Sequence, residues 1–353
     1  MRRGFEINMK KIVALFFMLV TTSVWAGAGG YIGEYDNRSY GSLEVSEYSA
    51  ITRLWLNKTN TGWSRCTGTF VDNNLILTNS HCALSCVHGE NCSADFWDGK
   101  KYVTTKIEPV MLNENFRTFE GDDWAFFMAY DANPKNGNVV SETTLGDVKF
   151  GGYGTLRVIT NDELPIIRKI AEETYKKYYS KCEKTSDWLE CWWDYIEDEI
   201  KKAGLKPLTG DSDKLKVQKC KIIKNNVSID GSVYQNMVTT DCDSAGGDSG
   251  SALMRGNSLV GLYNSGVNSL TLQIAENNMG KALKTQNFYP HLNEAKKIVE
   301  QKLKGTWTEP KPEAQPEQKP EQKPEQPAKK KPVTDKATMK RMYEEYMNGF
   351  QCD

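Results

Sequence analysis

Gly247-Asp248-Ser249-Gly250 is the stretch on which the reading of this chain turns, together with Leu77-Thr78-Asn79-Ser80-His81-Cys82 far upstream. A serine hydroxyl is a poor nucleophile at neutral pH until a neighbouring imidazole takes its proton. Ser249, in a tight glycine-flanked turn, offers the hydroxyl. The same turn offers the backbone N–H groups of Gly247 and Ser249 to an oxyanion as it develops. His81 is the candidate base. Between the two lies Asp122-Asp123-Trp124-Ala125-Phe126-Phe127, an acid opening an apolar strand. The candidate groups follow one another as His, Asp, Ser.

The start of the chain reads as an export signal. Lys10 and Lys11 form a basic region, Ile12 to Val20 an apolar one, and Val24-Trp25-Ala26 or Ala26-Gly27-Ala28 offers small residues for cleavage. Met9 makes a more compact start than Met1. A membrane anchor is the rival reading, but the apolar run is short of the roughly 20 residues a span needs. The expectation is a cleaved signal over residues 1–28 and a secreted or periplasmic protein with no later membrane span. The net charge of −1 over 353 residues gives no reason to expect nucleic acid as a partner.

Nine cysteines in an exported chain read as disulfides. Cys66 and Cys82 bracket the segment that delivers His81. Cys86 and Cys92 can close a small loop just after it. Cys182 and Cys191 fall near one turn, and Cys220 precedes Cys242 by one strand. Cys352 is then odd. Zinc is the rival, but no pair has Cys-x-x-Cys spacing and the histidines are His81, His88 and His291. Neither metal nor organic cofactor is expected.

Short runs rich in Val, Ile, Thr and aromatics, punctuated by Asn, Asp and Gly, predict strands over Ala50–Leu56, Thr67–Val71, Leu75–Asn79, Tyr102–Leu112 and Trp124–Tyr130. A second set covers Thr155–Thr160, Lys216–Ile223, Met237–Thr240, Ser251–Met254, Ser258–Tyr263 and Leu270–Ile274. Many short strands with turn signals mean a sandwich or barrel. Residues 162–203 interrupt them with helical periodicity. Asn161 or Asp162 can cap a first helix, with Pro165 in its first turn, and a second helix starts near Ser186. Tyr289–Lys304 reads as an amphipathic helix with Pro290 in its first turn. Residues 305–332 form a Pro/Glu/Lys/Gln-rich linker unable to build a core. Residues 333–353 hold one short amphipathic helix, with Met339, Met342 and Tyr346 on one face, as a docking element for a partner.

Taken together, Cys66-Thr67-Gly68-Thr69-Phe70-Val71, the His81 block, Asp123-Trp124-Ala125 and Gly247-Asp248-Ser249-Gly250 resemble the chymotrypsin/trypsin-like serine proteases. Asp241 to Ser251 and Asn37-Arg38 are similar to the bacterial glutamyl-endopeptidase-like branch. The resemblance covers roughly Tyr35 to Lys304, in a protease domain over 29–304. It implies an all-β fold of two six-stranded antiparallel barrels with the site between them. It implies His81 as general base and acid, Asp123 as its orienting acid, Ser249 as nucleophile and the N–H groups of Gly247 and Ser249 as oxyanion hole. Protein or peptide substrates are implied as partners. The expected activity is that of an exported serine endopeptidase. The rival readings are a silent protease scaffold that only binds, and an envelope quality-control protease.

Two acids keep two roles each. Asp243 lies where trypsin-like enzymes place the floor of the specificity pocket, with Ser244 beside it and Gly266 and Gly280 as open walls, which implies cleavage after Arg or Lys. Alternatively it is a framework acid turned away from the pocket. Glutamate specificity is disfavoured because no His stands near Tyr263. Asp248 matches the acid that receives a freed N-terminal ammonium in trypsin-like enzymes, yet the chain lacks their Ile-Val-Gly-Gly start. Its partner is then the terminus left near Gly27 or Gly29, or it is a structural turn residue. The helical insert is either a self-packed hairpin or a lid or exosite using Trp188, Trp192 and Trp193.

Overall fold

Six strands between Ile51 and Ala129 close on themselves because their alternate positions bury one continuous apolar interior. A computed structural model describes residues 31–32, 36–59, 62–86, 92–113, 123–182, 188–209, 211–229, 232–265, 274–275, 278–282 and 285–309. Two short strands, β1 (Tyr31–Ile32) and β2 (Ser39–Tyr40), come first. The first barrel then takes β3 (Ile51–Thr59), β4 (Gly62–Asp72), β5 (Leu75–Thr78), β6 (Ser93–Trp97), β7 (Tyr102–Leu112) and β8 (Ala125–Ala129). Its order is β3-β4-β5-β8-β7-β6, closed where Arg53 pairs with Asp95. Leu54, Phe70, Ile76, Phe96 and Phe127 fill the interior. A five-residue helix, α1 (Ser80–Leu84), leaves β5 and carries His81.

The second body uses β10 (Gly146–Gly152), β11 (Lys216–Ile229), β12 (Ser232–Thr240), β13 (Ala252–Arg255), β14 (Ser258–Ser265) and β16 (Asn278–Ala282). Its order runs β10-β13-β14-β16-β12-β11, and β11 pairs back onto β10. These six strands also return on themselves, around Val148, Phe150, Ile222, Val238, Leu253 and Tyr263. β2 extends β11, β9 (Val139–Val140) runs parallel to β14, and β15 (Ile274–Ala275) runs parallel to β1. The fold is therefore an antiparallel double barrel of the chymotrypsin-like kind.

Within residues 162–203 lie two helices, α2 (Glu163–Cys182) and α3 (Trp188–Lys202), stapled to each other by Cys182–Cys191 as the expected hairpin. Their apolar faces bury Leu164, Ile167, Ile196 and Ile200 against Leu156 and Ile159. That explains one correction: Thr155–Thr160 is not a strand. Its apolar side chains face the hairpin, and Arg157 is buried in a bidentate ion pair with Glu163 at 2.9 Å. The cap also differs from expectation. Thr160 and Glu163 bond each other reciprocally, a capping box, in place of Asn161 or Asp162.

The last helix, α4 (Thr285–Leu303), begins four residues before the expected Tyr289 and holds Pro290 in its second turn. Phe288 draws the extra turn in by packing on Trp124 and Phe126, at ring separations of 5.9 and 5.7 Å. β6, β10 and β16 were not expected as strands, because glycines and charged residues break their β pattern. No helix among the described residues is long and apolar enough to cross a membrane. The signal region, the linker beyond residue 309, the residues of the expected C-terminal helix and Cys352 lie outside the described residues.

Candidate active site

His81 enters the site on α1, directly after β5. Asp123 sits one residue before Trp124 and just ahead of β8, which pairs with β5 through Thr78 and Ala125. That pairing brings base and acid together although 42 residues separate them. Asp123 Oδ2 lies 2.7 Å from His81 Nδ1, and Oδ1 accepts the His81 backbone N–H at 3.1 Å. The carboxylate thus holds both the ring and the chain that carries it. Asn79 fixes the acid in turn, donating to the Asp123 carbonyl at 2.7 Å. With Nδ1 on the acid, Nε2 faces away as the free nitrogen. It is buried and has no hydrogen-bond partner among the described residues.

Ser249 Oγ is the matching case: buried, and without a hydrogen-bond partner among the described residues. The chain that carries it is fastened to the His81 side. Thr67 N–H donates to the Ser249 carbonyl at 2.8 Å, and the sulfur of Cys82, next to His81, lies 4.0 Å from the same oxygen. Thr67 Oγ1 also donates to the Gly247 carbonyl at 3.0 Å and accepts Tyr153 N–H at 2.8 Å. Thr67 is thus a stitch between the barrels that sequence reasoning missed, although it lies in the Cys66-Thr67-Gly68 block.

The turn has left-handed backbone at Gly247 and Gly250, with φ of 90° and 81°. A Cβ at Gly250 would stand 2.1 Å from the Thr67 carbonyl oxygen, so only glycine fits there. Asp248, Gly250 and Ser251 donate their N–H groups inside the protein, to Ala245, Tyr263 and Asp248. The N–H groups of Gly247 and Ser249 make no such backbone bond among the described residues. The turn leaves uncommitted the two donors that an oxyanion needs.

The disulfides join Cys66 to Cys82, Cys86 to Cys92, Cys182 to Cys191 and Cys220 to Cys242. Cys66, His81 and Cys82 cluster tightly, as do Cys220, Asp241 and Cys242. In both clusters the sulfurs are bonded to each other and offer no thiolate to a metal.

Asp243 is wholly buried. Its Oδ2 accepts the Asn37 N–H at 2.6 Å, and its own N–H donates to Gln218 at 3.1 Å. Ser244 bonds the hydroxyl of Tyr263. Gly280 sits in β16 between Val238 and Tyr263, and Gly266 lies outside the described residues. The hairpin reaches the same loop, because Ala245 is part of its apolar cluster. Trp193 is half-buried against that cluster; the side chains of Trp188 and Trp192 lie outside the described residues.

No protein-family profile and no curated protein matches the chain. Among solved structures, it is similar to a Glu endopeptidase in complex with MPD, at 18% identity and a TM-score of 0.46, covering 75% of this chain and 99% of that one. It is similar to the inactive serine-to-alanine form of Rv3671c from M. tuberculosis H37Rv, at 13% identity and a TM-score of 0.40, covering 77% and 98%. A serine endoprotease from Yersinia pestis aligns at 13% identity and a TM-score of 0.40, covering 74% and 66%. These are likenesses of fold.

Proposed function

We propose that the chain is an exported serine endopeptidase that hydrolyses peptide bonds through an acyl-enzyme. One observation carries the reading. His81 is held by Asp123 in the tautomer that leaves Nε2 free, while Nε2 and Ser249 Oγ are both buried and unsatisfied among the described residues. A buried donor and acceptor left unpaired cost free energy, of order 1–3 kcal/mol each. Such groups are expected where a reacting atom is to be met.

In the reaction, His81 Nε2 takes the Ser249 proton as Oγ attacks the peptide carbonyl. The imidazolium is stabilised by Asp123, and the oxyanion meets the N–H groups of Gly247 and Ser249. His81 then protonates the leaving amine. Water repeats the sequence on the ester and frees Ser249. Export is supported by the basic and apolar start of the chain and by four disulfides, which persist in oxidising compartments. The bond from Asn37 to the wholly buried Asp243 favours the framework role for that acid, so the proposal carries no Arg or Lys preference from it.

A fluorophosphonate probe tests the activity. Wild-type protein should label and Ser249→Ala should not. A folded wild type that never labels returns the chain to the silent-scaffold reading. Sequencing the mature N-terminus, expected near Gly27 to Gly29, tests export.

A further inference from the structure

Directly behind the nucleophile lies a charge that the proposed mechanism does not use. The Asp248 carboxylate is completely buried. It is pinched between two glycines: a Cβ at Gly152 would stand 2.5 Å from Oδ1, and one at Gly154 2.5 Å from Oδ2. Oδ2 accepts the Ala245 N–H at 2.7 Å, while Oδ1 has no hydrogen-bond partner among the described residues. Oδ2 therefore braces the turn against its own start, three residues before Asp248.

Two buried cations, Lys216 and Arg38, act on this carboxylate through their charge. Lys216 opens β11 opposite Gly152, the position whose missing side chain admits Asp248. It too is completely buried, and its ammonium donates to the carbonyls of Gly154 and Asp211. Arg38 is aimed by Asp36, which it meets at 2.9 Å through both Nε and a terminal nitrogen, and by the Arg157 carbonyl at 3.0 Å. Asp36 is itself held by the Ile159 N–H at 2.8 Å.

We propose that Arg38 and Lys216 are positioning residues that seat the Asp248 carboxylate, and that this internal seat, not a freed chain terminus, holds the Gly247–Ser249 turn in its reactive shape. The inference rests on the protease reading. Its consequence is that competence of Ser249 does not depend on where the chain has been cut upstream of Asp36.

The electrostatics agree. Burial pushes the Asp248 carboxyl up, opposed by the charges of Arg38 and Lys216. Burial pushes Lys216 down to about 8, opposed by Asp248, Asp211 and Asp213 and reinforced by Arg38. Tyr263, pushed up by its own burial, also feels the charge of Asp248. The Lys216 shift runs against stability at neutral pH, because an ammonium with a value of about 8 is still ionised there, where burial penalises the ion. Ions retained at such a cost point to a role beyond stability.

The test is the rate of fluorophosphonate labelling of the full chain from pH 6 to 10, with melting and intact disulfides as fold controls. The arms are wild type, Lys216→Met, Lys216→Arg, Asp248→Asn and the Met/Asn double variant. Lys216→Met should label more slowly by about tenfold or more, as expected when a reacting group is misplaced. In the Asp248→Asn background the same change should cost almost nothing. Wild-type labelling should decline above about pH 8, where Lys216 loses its proton, and Lys216→Arg should hold its rate to higher pH. If Lys216→Met does not fold, the alkaline limb of Lys216→Arg decides alone: moved upward it supports the seat, unmoved it overturns it. Equal labelling of wild type and folded Lys216→Met, or an equal penalty in both backgrounds, overturns the seat and leaves the protease reading intact. Labelling confined to one processed N-terminus also overturns it. A wild type that never labels overturns the protease reading and the seat with it.

Discussion

The two halves of the cleft are held by different forces. Around His81 and Asp123, beyond their own hydrogen bonds and those of Asn79 and Ser80, the wall is apolar. Trp124 packs on Phe126 and Phe288, His291 stacks on its indole at 4.9 Å, and Cys66–Cys82 staples β4 to α1. Around Ser249 the supports are buried charges. Asp243, Asp248, Lys216, Arg38 and Asp36 stand within a shell of backbone carbonyls and N–H groups. Apolar packing is nearly indifferent to pH and tolerates changes that conserve volume. A buried charge network is exacting: each member left unpaired costs several kcal/mol. The base therefore rests on a robust wall, and the nucleophile on a conditional one.

The comparison breaks first at the reacting groups, where both halves must fail alike. His81→Ala and Ser249→Ala should each lower turnover by about 10⁶-fold, because members of a triad act as a unit. Asp123→Asn should lose about 10⁴-fold through the wrong tautomer, with the fold intact by circular dichroism. An Asp123→Asn enzyme of near-wild activity would remove Asp123 from the triad.

Next come the walls. Trp124→Ala should cost about 3–5 kcal/mol in denaturant unfolding, equally at pH 6 and 8, since the loss is a cavity. A cost that varies strongly with pH would show that the base side also leans on charge. Replacing Cys66 and Cys82 together by Ser should cost about 3 kcal/mol, the loop-closure value for their separation of 16 residues.

Asp243→Ser sharpens the contrast on the nucleophile side. It leaves the Asn37 N–H without its carboxylate, and the cost should be about 1–3 kcal/mol. Cleavage preference on a peptide library should not move. A lost Arg or Lys preference would put Asp243 on the pocket floor instead.

The smallest effect is a pH signature. Lys216 falls from an ordinary 10.5 to about 8 in the folded state. Between those values the unfolded chain binds more protons than the folded one, so stability rises with pH. Its burial cost is fully present below pH 8. Melting temperatures at pH 7.5 and 10 should therefore shift in favour of wild type relative to Lys216→Met as pH rises. A gap that stays constant would mean Lys216 is not desolvated as described.

Legibility followed the same division. In the first barrel, Tyr102–Leu112 was read to the residue and β5 and β8 nearly so, because β5 and β8 are compact apolar runs and β7 alternates exposed and buried positions before an apolar end. In the second body, β10 was missed because Gly146, Gly151 and Gly152 break its β pattern. Gly151 and Gly152 are there for space, a Cβ standing 2.4 Å from Ile51 Cδ1 at the first and 1.9 Å from Ser251 Oγ at the second, and Gly146 for its left-handed backbone, with φ of 110°. Thr155–Thr160 failed for the opposite reason, a β pattern spent on packing a helical hairpin. Thr160-x-x-Glu163 was a readable capping signal that went unread.

By itself the sequence determined what is local or covalent. Its strand patterns pointed to a sandwich or barrel, its cysteine spacing to four disulfides, and its motif blocks to His81, Asp123 and Ser249 and to the resemblance that implied two barrels. The tertiary structure alone decided what faces what. Thr67 became a stitch, Asp243 a partner of Asn37, and Lys216 and Arg38 the neighbours of Asp248. Pairs such as Asn37 and Asp243 stand 206 residues apart. No local rule joins them, because the fate of a charge depends on what burial leaves beside it, and that is known only once the chain has closed around it.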